Sequence, residues 1–196
     1  MRKAIYGGSF NPIHLDHTAL CERFITEFSL DRVILIPTAT TPLKDNSELA
    51  SGEDRLMMCR LASAAYDFIE VSDIEIRRQG LSYTSDTIAQ LKNDEDDLFL
   101  IVGVDMFMTL EKWHDFTYIF ANATILTIPR GEYDINILQK KYNELKPYGC
   151  NAEFSLSPVG PFSSTAIREK IKNGEDLSGC LHPDVIDYIK KNHLYC

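Results

Sequence analysis

Two histidines three positions apart, His14 and His17, follow a glycine pair in the run Gly7-Gly8-Ser9-Phe10-Asn11-Pro12-Ile13-His14-Leu15-Asp16-His17. If a helix opens near Ile13, the imidazoles become neighbours on its first turn. They then share that turn with free amide N–H groups and the positive end of the helix dipole, a combination that holds phosphate. A second cluster of this kind comes far along the chain, Ser163-Ser164-Thr165-Ala166-Ile167-Arg168. Its hydroxyls and amides open a helix and Arg168 follows about one turn in, again suited to anionic oxygens. Taken singly, each cluster has a plain reading: a surface turn whose helix carries two histidines, or an N-cap with a solvated arginine. Taken together, the two describe a phosphate site.

The elements that must position these residues follow from the apolar pattern. A short strand, Ala4 to Tyr6, feeds the glycines, which let the backbone turn and approach a ligand closely. Ile13, His17, Leu20, Cys21, Phe24 and Phe28 then recur at helical spacing. Val33 to Ile36 reads as a strand buried on both faces, Phe68 to Ile76 as the third strand and Leu98 to Val104 as the fourth. Ala123 to Ile128 reads as the fifth strand and Ala152 to Leu156 as a weaker sixth. Helical patterns lie between them, so the expectation is an α/β fold: a doubly wound, mostly parallel sheet of about six strands with helices on both faces. In such sheets ligands bind beyond the carboxyl ends of the strands. Gly7 and Gly8 follow the first strand, Lys44 the second, Tyr83-Thr84 the third, Asp105 the fourth, Arg130 the fifth and Ser163-Ser164 the sixth. They are expected on one rim.

Composition narrows the function. Hydrophobic residues make up 44% and charged residues 25%, ordinary for a globular chain. A net charge of −9 argues against a nucleic-acid polymer as partner, but not against small anions met by a local positive cluster. The five cysteines have no C-x-x-C pair, which favours free thiols in a reducing compartment. With no apolar leader or membrane-length run, a cytoplasmic protein without membrane contact is expected. His14-Leu15-Asp16-His17 also contains the H-x-D-H half of a metallo-β-lactamase-type zinc motif. Pro12 stands where that motif needs another histidine, and His114, His182 and His193 lack ligand spacing, so a zinc hydrolase is the lesser alternative.

The first run resembles the signature of the HxGH-type nucleotidyltransferases, G-G-[ST]-F-[DN]-P-x-H-x-G-H, with Asp16 where the family has the glycine before the last histidine. Ser163 to Arg168 is similar to their second motif, [IV]-S-S-T-x-I-R, with Phe162 in the aliphatic position. Between them, Pro42-Leu43-Lys44, Ser82-Tyr83-Thr84-Ser85-Asp86-Thr87 and Gly103-Val104-Asp105 with Leu110 and Trp113 resemble the bacterial nicotinate-nucleotide adenylyltransferase branch, as does the ending Pro183 to Tyr195. The resemblance implies a single Rossmann-like nucleotidyltransferase domain over residues 1–196 that joins ATP and nicotinate mononucleotide, with a homo-oligomer left open.

It further implies an ATP site of Gly7, Gly8, Ser9, Phe10, His14, His17, Gly103, Asp105, Ser163, Ser164, Thr165 and Arg168. A nicotinate-nucleotide site would comprise Ser9, Lys44, Tyr83, Thr84, Trp113 and Arg130, with Trp113 stacked on the pyridine ring. His14, His17, Lys44 and Arg168 would carry catalysis, and Mg²⁺ would arrive with ATP rather than on protein side chains. Beside imidazoles meant for phosphate, Asp16 is expected to repel a triphosphate; turning outward, or raising the pKa of His14 or His17, are the alternatives. A nucleotide-sensing module without turnover is the non-enzymatic alternative, with Asp16 as its symptom.

Overall fold

Branched apolar runs form the centre of the molecule. The computed structural model describes residues 1–41, 48–131, 133–156 and 160–196. The expected Pro42-Leu43-Lys44 segment, and with it Lys44, lies outside the described residues. β1 (Arg2–Gly8) leads into α1 (Leu15–Glu27), then β2 (Arg32–Pro37), α2 (Gly52–Ser63), β3 (Ile69–Val71), α3 (Ile74–Arg78) and α4 (Thr84–Leu91). β4 (Asp97–Ile101), α5 (Val104–Phe107), α6 (Phe116–Asn122), β5 (Thr124–Thr127), α7 (Ile135–Leu145), β6 (Ala152–Phe154), α8 (Ser164–Lys172) and α9 (Pro183–Lys191) complete the order.

The strands form one sheet, β3-β2-β1-β4-β5-β6, and every pairing is parallel. β1 is central: Ile5 pairs with Ile34 on one side and Leu100 on the other. Alternation sends its neighbours to opposite faces. Ala4 joins Leu35, Phe99 and Leu126 beneath residues of α1, α2, α8 and α9. Ile5 joins Ile34, Leu100 and Ile125 on the face that holds Ile88, Ile119 and Leu138. Both faces are therefore dry, which is why β2 reads as an unbroken apolar run. Strand order reverses between β1 and β4, so a crevice opens beyond their carboxyl ends.

The structure corrects three expected boundaries. The third strand stops at Val71, because Asp73 turns the chain into α3, where Glu75 and Thr87 tie the new helix to α4. The fourth strand stops at Ile101, and Val104 and Asp105 already belong to α5, with Gly103 at its N-cap. α6, with Ile119 and Phe120 packed into the core, lies where no helix was expected; it is too short to show periodicity.

Candidate active site

The crevice is a cleft of about 1070 Å³ above β1 and β4. Its floor is the turn after β1. Gly8 has no room for a side chain that the Phe10 ring would not meet at 3.1 Å, and Phe10 itself is in the left-handed region with φ 43°. That strain points the Phe10 ring into the core, edge-on to Tyr6 at 5.4 Å and to His17 at 5.1 Å. Phe10 thus buttresses an imidazole from below while still lining the cleft.

Asn11 fastens the turn. Its Nδ2 donates to the Glu48 carbonyl at 3.0 Å, and its Oδ1 accepts from the Ala50 N–H at 3.0 Å and the Tyr195 hydroxyl at 2.8 Å. Arg55, missed in the sequence because it looks like any helix arginine, is 1% exposed. Its guanidinium donates to the carbonyls of Ser9 at 2.9 Å, Ala50 at 3.0 Å and Ala39 at 3.4 Å. It therefore holds the glycine turn against the loops after β2 and before α2. A buried charge is tolerated when its donors are satisfied in this way.

His14 is the N-cap of α1, and its backbone N–H donates to His17 Nδ1 at 3.1 Å. With Nδ1 accepting, a neutral His17 carries its proton on Nε2. The two rings lie 3.7 Å apart at 31°. Burial, then the nearby Arg130 charge, lowers the His14 pKa to about 4. Burial, then His14, then Arg130, holds His17 well below its ordinary value. Both pKa values are lowered and Asp16 is not among the causes, contrary to the alternative in which it raises one of them.

Asp16 does not face the imidazoles as a repulsive group either. Its Oδ2 accepts the Phe162 N–H at 2.8 Å, and its carboxylate fills the space a side chain at Gly160 would need. This arrangement also disposes of the H-x-D-H zinc set, since Asp16 is committed to the turn before α8 and His17 Nδ1 to a backbone amide. Among the described residues, no three His, Cys, Asp or Glu side chains gather to hold a metal ion.

The second cluster arrives beside the first. Ser163 caps α8 by accepting the Ala166 N–H at 3.2 Å, Ser164 Oγ donates to the Pro12 carbonyl at 2.9 Å, and Arg168 donates to the Asn11 carbonyl at 3.0 Å. Arg168 also meets the Glu48 carboxylate at 3.1 Å. Ser163, Ser164, Thr165 and Arg168 all border the cleft, so two helix N-termini face the same volume. Arg130 donates to the Phe162 carbonyl at 2.6 Å. This contact, together with its effect on both imidazoles, puts its charge on the imidazole side of the cleft.

At the other end lie Tyr83, Thr84 and Trp113, with His114 stacked on Tyr83 at 4.3 Å and 32°. Gly103 and Asp105 are exposed and also line the cleft. Beneath Tyr83, Arg78 donates to Thr87 Oγ1 at 3.1 Å, and that hydroxyl donates to Glu75 Oε1 at 2.7 Å. Burial raises the Glu75 pKa, against the opposing hydrogen bonds from Thr87 and Ser82. Glu75, Arg78 and Arg55 act from under the site, and nothing local in the sequence distinguishes them.

Comparison with known proteins agrees with this geometry. A family model described as cytidylyltransferase-like matches residues 5–170. A probable nicotinate-nucleotide adenylyltransferase of Dehalococcoides mccartyi is 32% identical, covering 100% of this chain and 98% of its own length. One from Clostridium acetobutylicum is 32% identical, over 99% and 98%. The nicotinic acid mononucleotide adenylyltransferase of Plasmodium falciparum, solved with NaAD, superposes with a TM-score of 0.81 at 20% identity, covering 99% of this chain and 97% of that one, and so shares the fold. Identity at this level over nearly the full length of both chains, with a family model matching residues 5–170, assigns the chain to the cytidylyltransferase-like family and, within it, to the nicotinate-nucleotide adenylyltransferases.

Proposed function

We propose that the chain transfers the adenylyl group of ATP to nicotinate mononucleotide, giving deamido-NAD and pyrophosphate in NAD biosynthesis. One observation carries the reading: a single cleft has two helix N-termini and paired neutral imidazoles at one end and an aromatic subsite at the other. A pyridine nucleotide laid between them puts its phosphate where a triphosphate also converges. An oxygen of that phosphate attacks the α-phosphorus of ATP, the bond from that phosphorus to the bridging oxygen breaks, and pyrophosphate leaves with the electron pair. The attacking group is already an anion, so no protein base is required. Rate enhancement comes from alignment and from donors aimed at developing charge.

In this reading His17 donates from Nε2 to the reacting phosphate, with His14 packed against it. The start of α8 and Arg168 take the β- and γ-phosphates, Arg130 neutralises phosphate charge near the imidazoles, and Lys44 adds a further cation. The α4 N-terminal amides at Tyr83 and Thr84 suit the pyridine carboxylate, and Trp113 covers the ring. Gly103 and Asp105 lie along the adenosine. A magnesium ion accompanying ATP would neutralise charge on its phosphate oxygens; a donor set made of phosphates suits hard cations. Four of the five thiols are buried and all are free, which fits the reducing cytoplasm.

The test is pyrophosphate release over a panel of mononucleotides and nucleoside triphosphates. Turnover is expected with ATP and nicotinate mononucleotide. The nicotinamide analogue should be disfavoured, because it brings no charge to the helix start. Equal kcat/KM for the two mononucleotides would refute the base assignment, and no release with either would refute the reaction.

A further inference from the structure

The peptide of Phe162 is gripped from both sides. Its N–H donates to the Asp16 carboxylate at 2.8 Å, from α1, and its carbonyl accepts from Arg130 at 2.6 Å, from the end of β5. The N–H and the C=O belong to consecutive peptide units, so the two contacts together fix both backbone planes that meet at the Phe162 Cα. The next residue, Ser163, is the N-cap of α8. Whatever fixes the Phe162 peptide therefore fixes the direction in which the α8 amides emerge. The Phe162 ring also stands edge-on to His14, with centroids 6.5 Å apart. Gly160 supplies the room: any side chain there would collide with the Asp16 carboxylate. Asp16 and Phe162 are the two positions at which the two phosphate motifs depart from the pattern they resemble, and the fold brings them into contact.

We infer that Asp16 is a positioning residue of the phosphate site, acting through the Phe162 peptide to set the start of α8 and the seat of Arg130. Its charge is used up on the turn. The acidic residue that looked hostile to ATP is instead a tie between the first helix and the second phosphate cluster. The kinetic part of this inference rests on the adenylyl-transfer reading; the contact itself does not.

Two measurements test it. In the first, ATP affinity is read by calorimetric titration of the full chain, with kcat and KM from pyrophosphate release. Asp16→Ala should weaken ATP binding and kcat/KM for ATP by about tenfold, the scale of one charge-assisted hydrogen bond. Asp16→Asn, whose amide oxygen can accept the same N–H, should recover most of the loss. In an Arg130→Ala background, Asp16→Ala should cost no more than about twofold, because the Phe162 carbonyl that Asp16 helps to place would no longer seat a cation. Tighter ATP binding by Asp16→Ala, or an undiminished cost in the Arg130→Ala background, would overturn the inference.

The second measurement needs no substrate. Gly160→Ala should lower Tm by several degrees in the wild type and be tolerated in Asp16→Gly, where the carboxylate is gone. An equal loss in both backgrounds would overturn the contact. Wild-type protein silent with ATP and nicotinate mononucleotide would instead refute the proposed reaction, leaving ATP titration and the Gly160 comparison to decide the role of Asp16.

Discussion

Replacing His17 by asparagine and by glutamine separates its two jobs. The Nδ1 atom accepts the His14 N–H at 3.1 Å, which leaves Nε2–H as the donor for phosphate. Asparagine places its amide oxygen near the Nδ1 position and has nothing at Nε2. Glutamine reaches the Nε2 position with an amide N–H and abandons Nδ1. Loss of one preorganised donor to transition-state charge costs about 10²–10³-fold in kcat, or roughly 3–4 kcal/mol. Loss of the acceptor leaves a partly buried N–H unpaired, at about 1–3 kcal/mol of stability. At roughly 2–4 °C per kcal/mol for a chain of this size, that deficit is easily seen calorimetrically. Both variants also lose ring contacts with His14 at 3.7 Å and Phe10 at 5.1 Å, so a shared small destabilisation is expected. The signature is a crossing: His17→Asn the more stable and slower, His17→Gln the less stable and faster. The assay is single-turnover pyrophosphate release at saturating substrates, paired with Tm. A folded His17→Asn whose kcat stays within about threefold of wild type would refute the donor assignment.

Three further outcomes follow from the same contacts. A histidine of an unfolded chain takes up its proton near pH 6.5, while His14 in the folded protein does so at about 4, because burial and then Arg130 disfavour its charge. The unfolded state therefore binds more protons in that window. Stability should be full above about pH 6.5 and fall by roughly 3 kcal/mol as pH drops towards 4. Denaturant midpoints against pH measure this, and an identical slope in His14→Asn would remove the assignment. Glu48 meets Arg168 at 3.1 Å in an exposed pair, so it competes with triphosphate. Glu48→Gln should lower KM for ATP by up to about fivefold, the limit of such a pair, and a raised KM would contradict it. Arg55→Met strands the carbonyls of Ser9, Ala50 and Ala39 and should cost about 3 kcal/mol or more, with a Tm drop of at least roughly 6 °C and a matching fall in kcat/KM. A Tm within about 2 °C of wild type would show that the clamp is dispensable.

Local chemistry made the outline of the site readable. Glycines after a strand, histidines three apart and a serine-rich helix start each have a meaning that needs no partner, and the alternation of strands and helices placed them on one rim. The parts that were hidden depend on residues distant in sequence. Arg55 reads as a solvated helix arginine until the carbonyl of Ser9, 46 residues away, is seen to accept its hydrogen bond. Asp16 reads as a flaw until Phe162, 146 residues away, is seen to donate to it. The third strand was drawn too long because Ile74 and Ile76 continue an apolar pattern that short helices and strands share. The motif marks Phe10 as part of the turn that lines the cleft, but does not show that its ring packs edge-on to His17, a contact between side chains seven residues apart.

The hydrogen bond from Tyr195 to Asn11 spans 184 residues, and it bears on when during synthesis the cleft can take shape. A chain growing at about 5–20 residues per second needs roughly 10–40 s between making the turn and making the hydroxyl that fastens it. Through that interval α1 and β1 can form on the ribosome, yet Asn11 waits for its last partner. A nascent chain stalled or cleaved before Tyr195 would carry both serine- and histidine-bearing motifs and still lack one of the hydrogen bonds that fasten the first, so full tightening of the turn waits until synthesis has passed Tyr195.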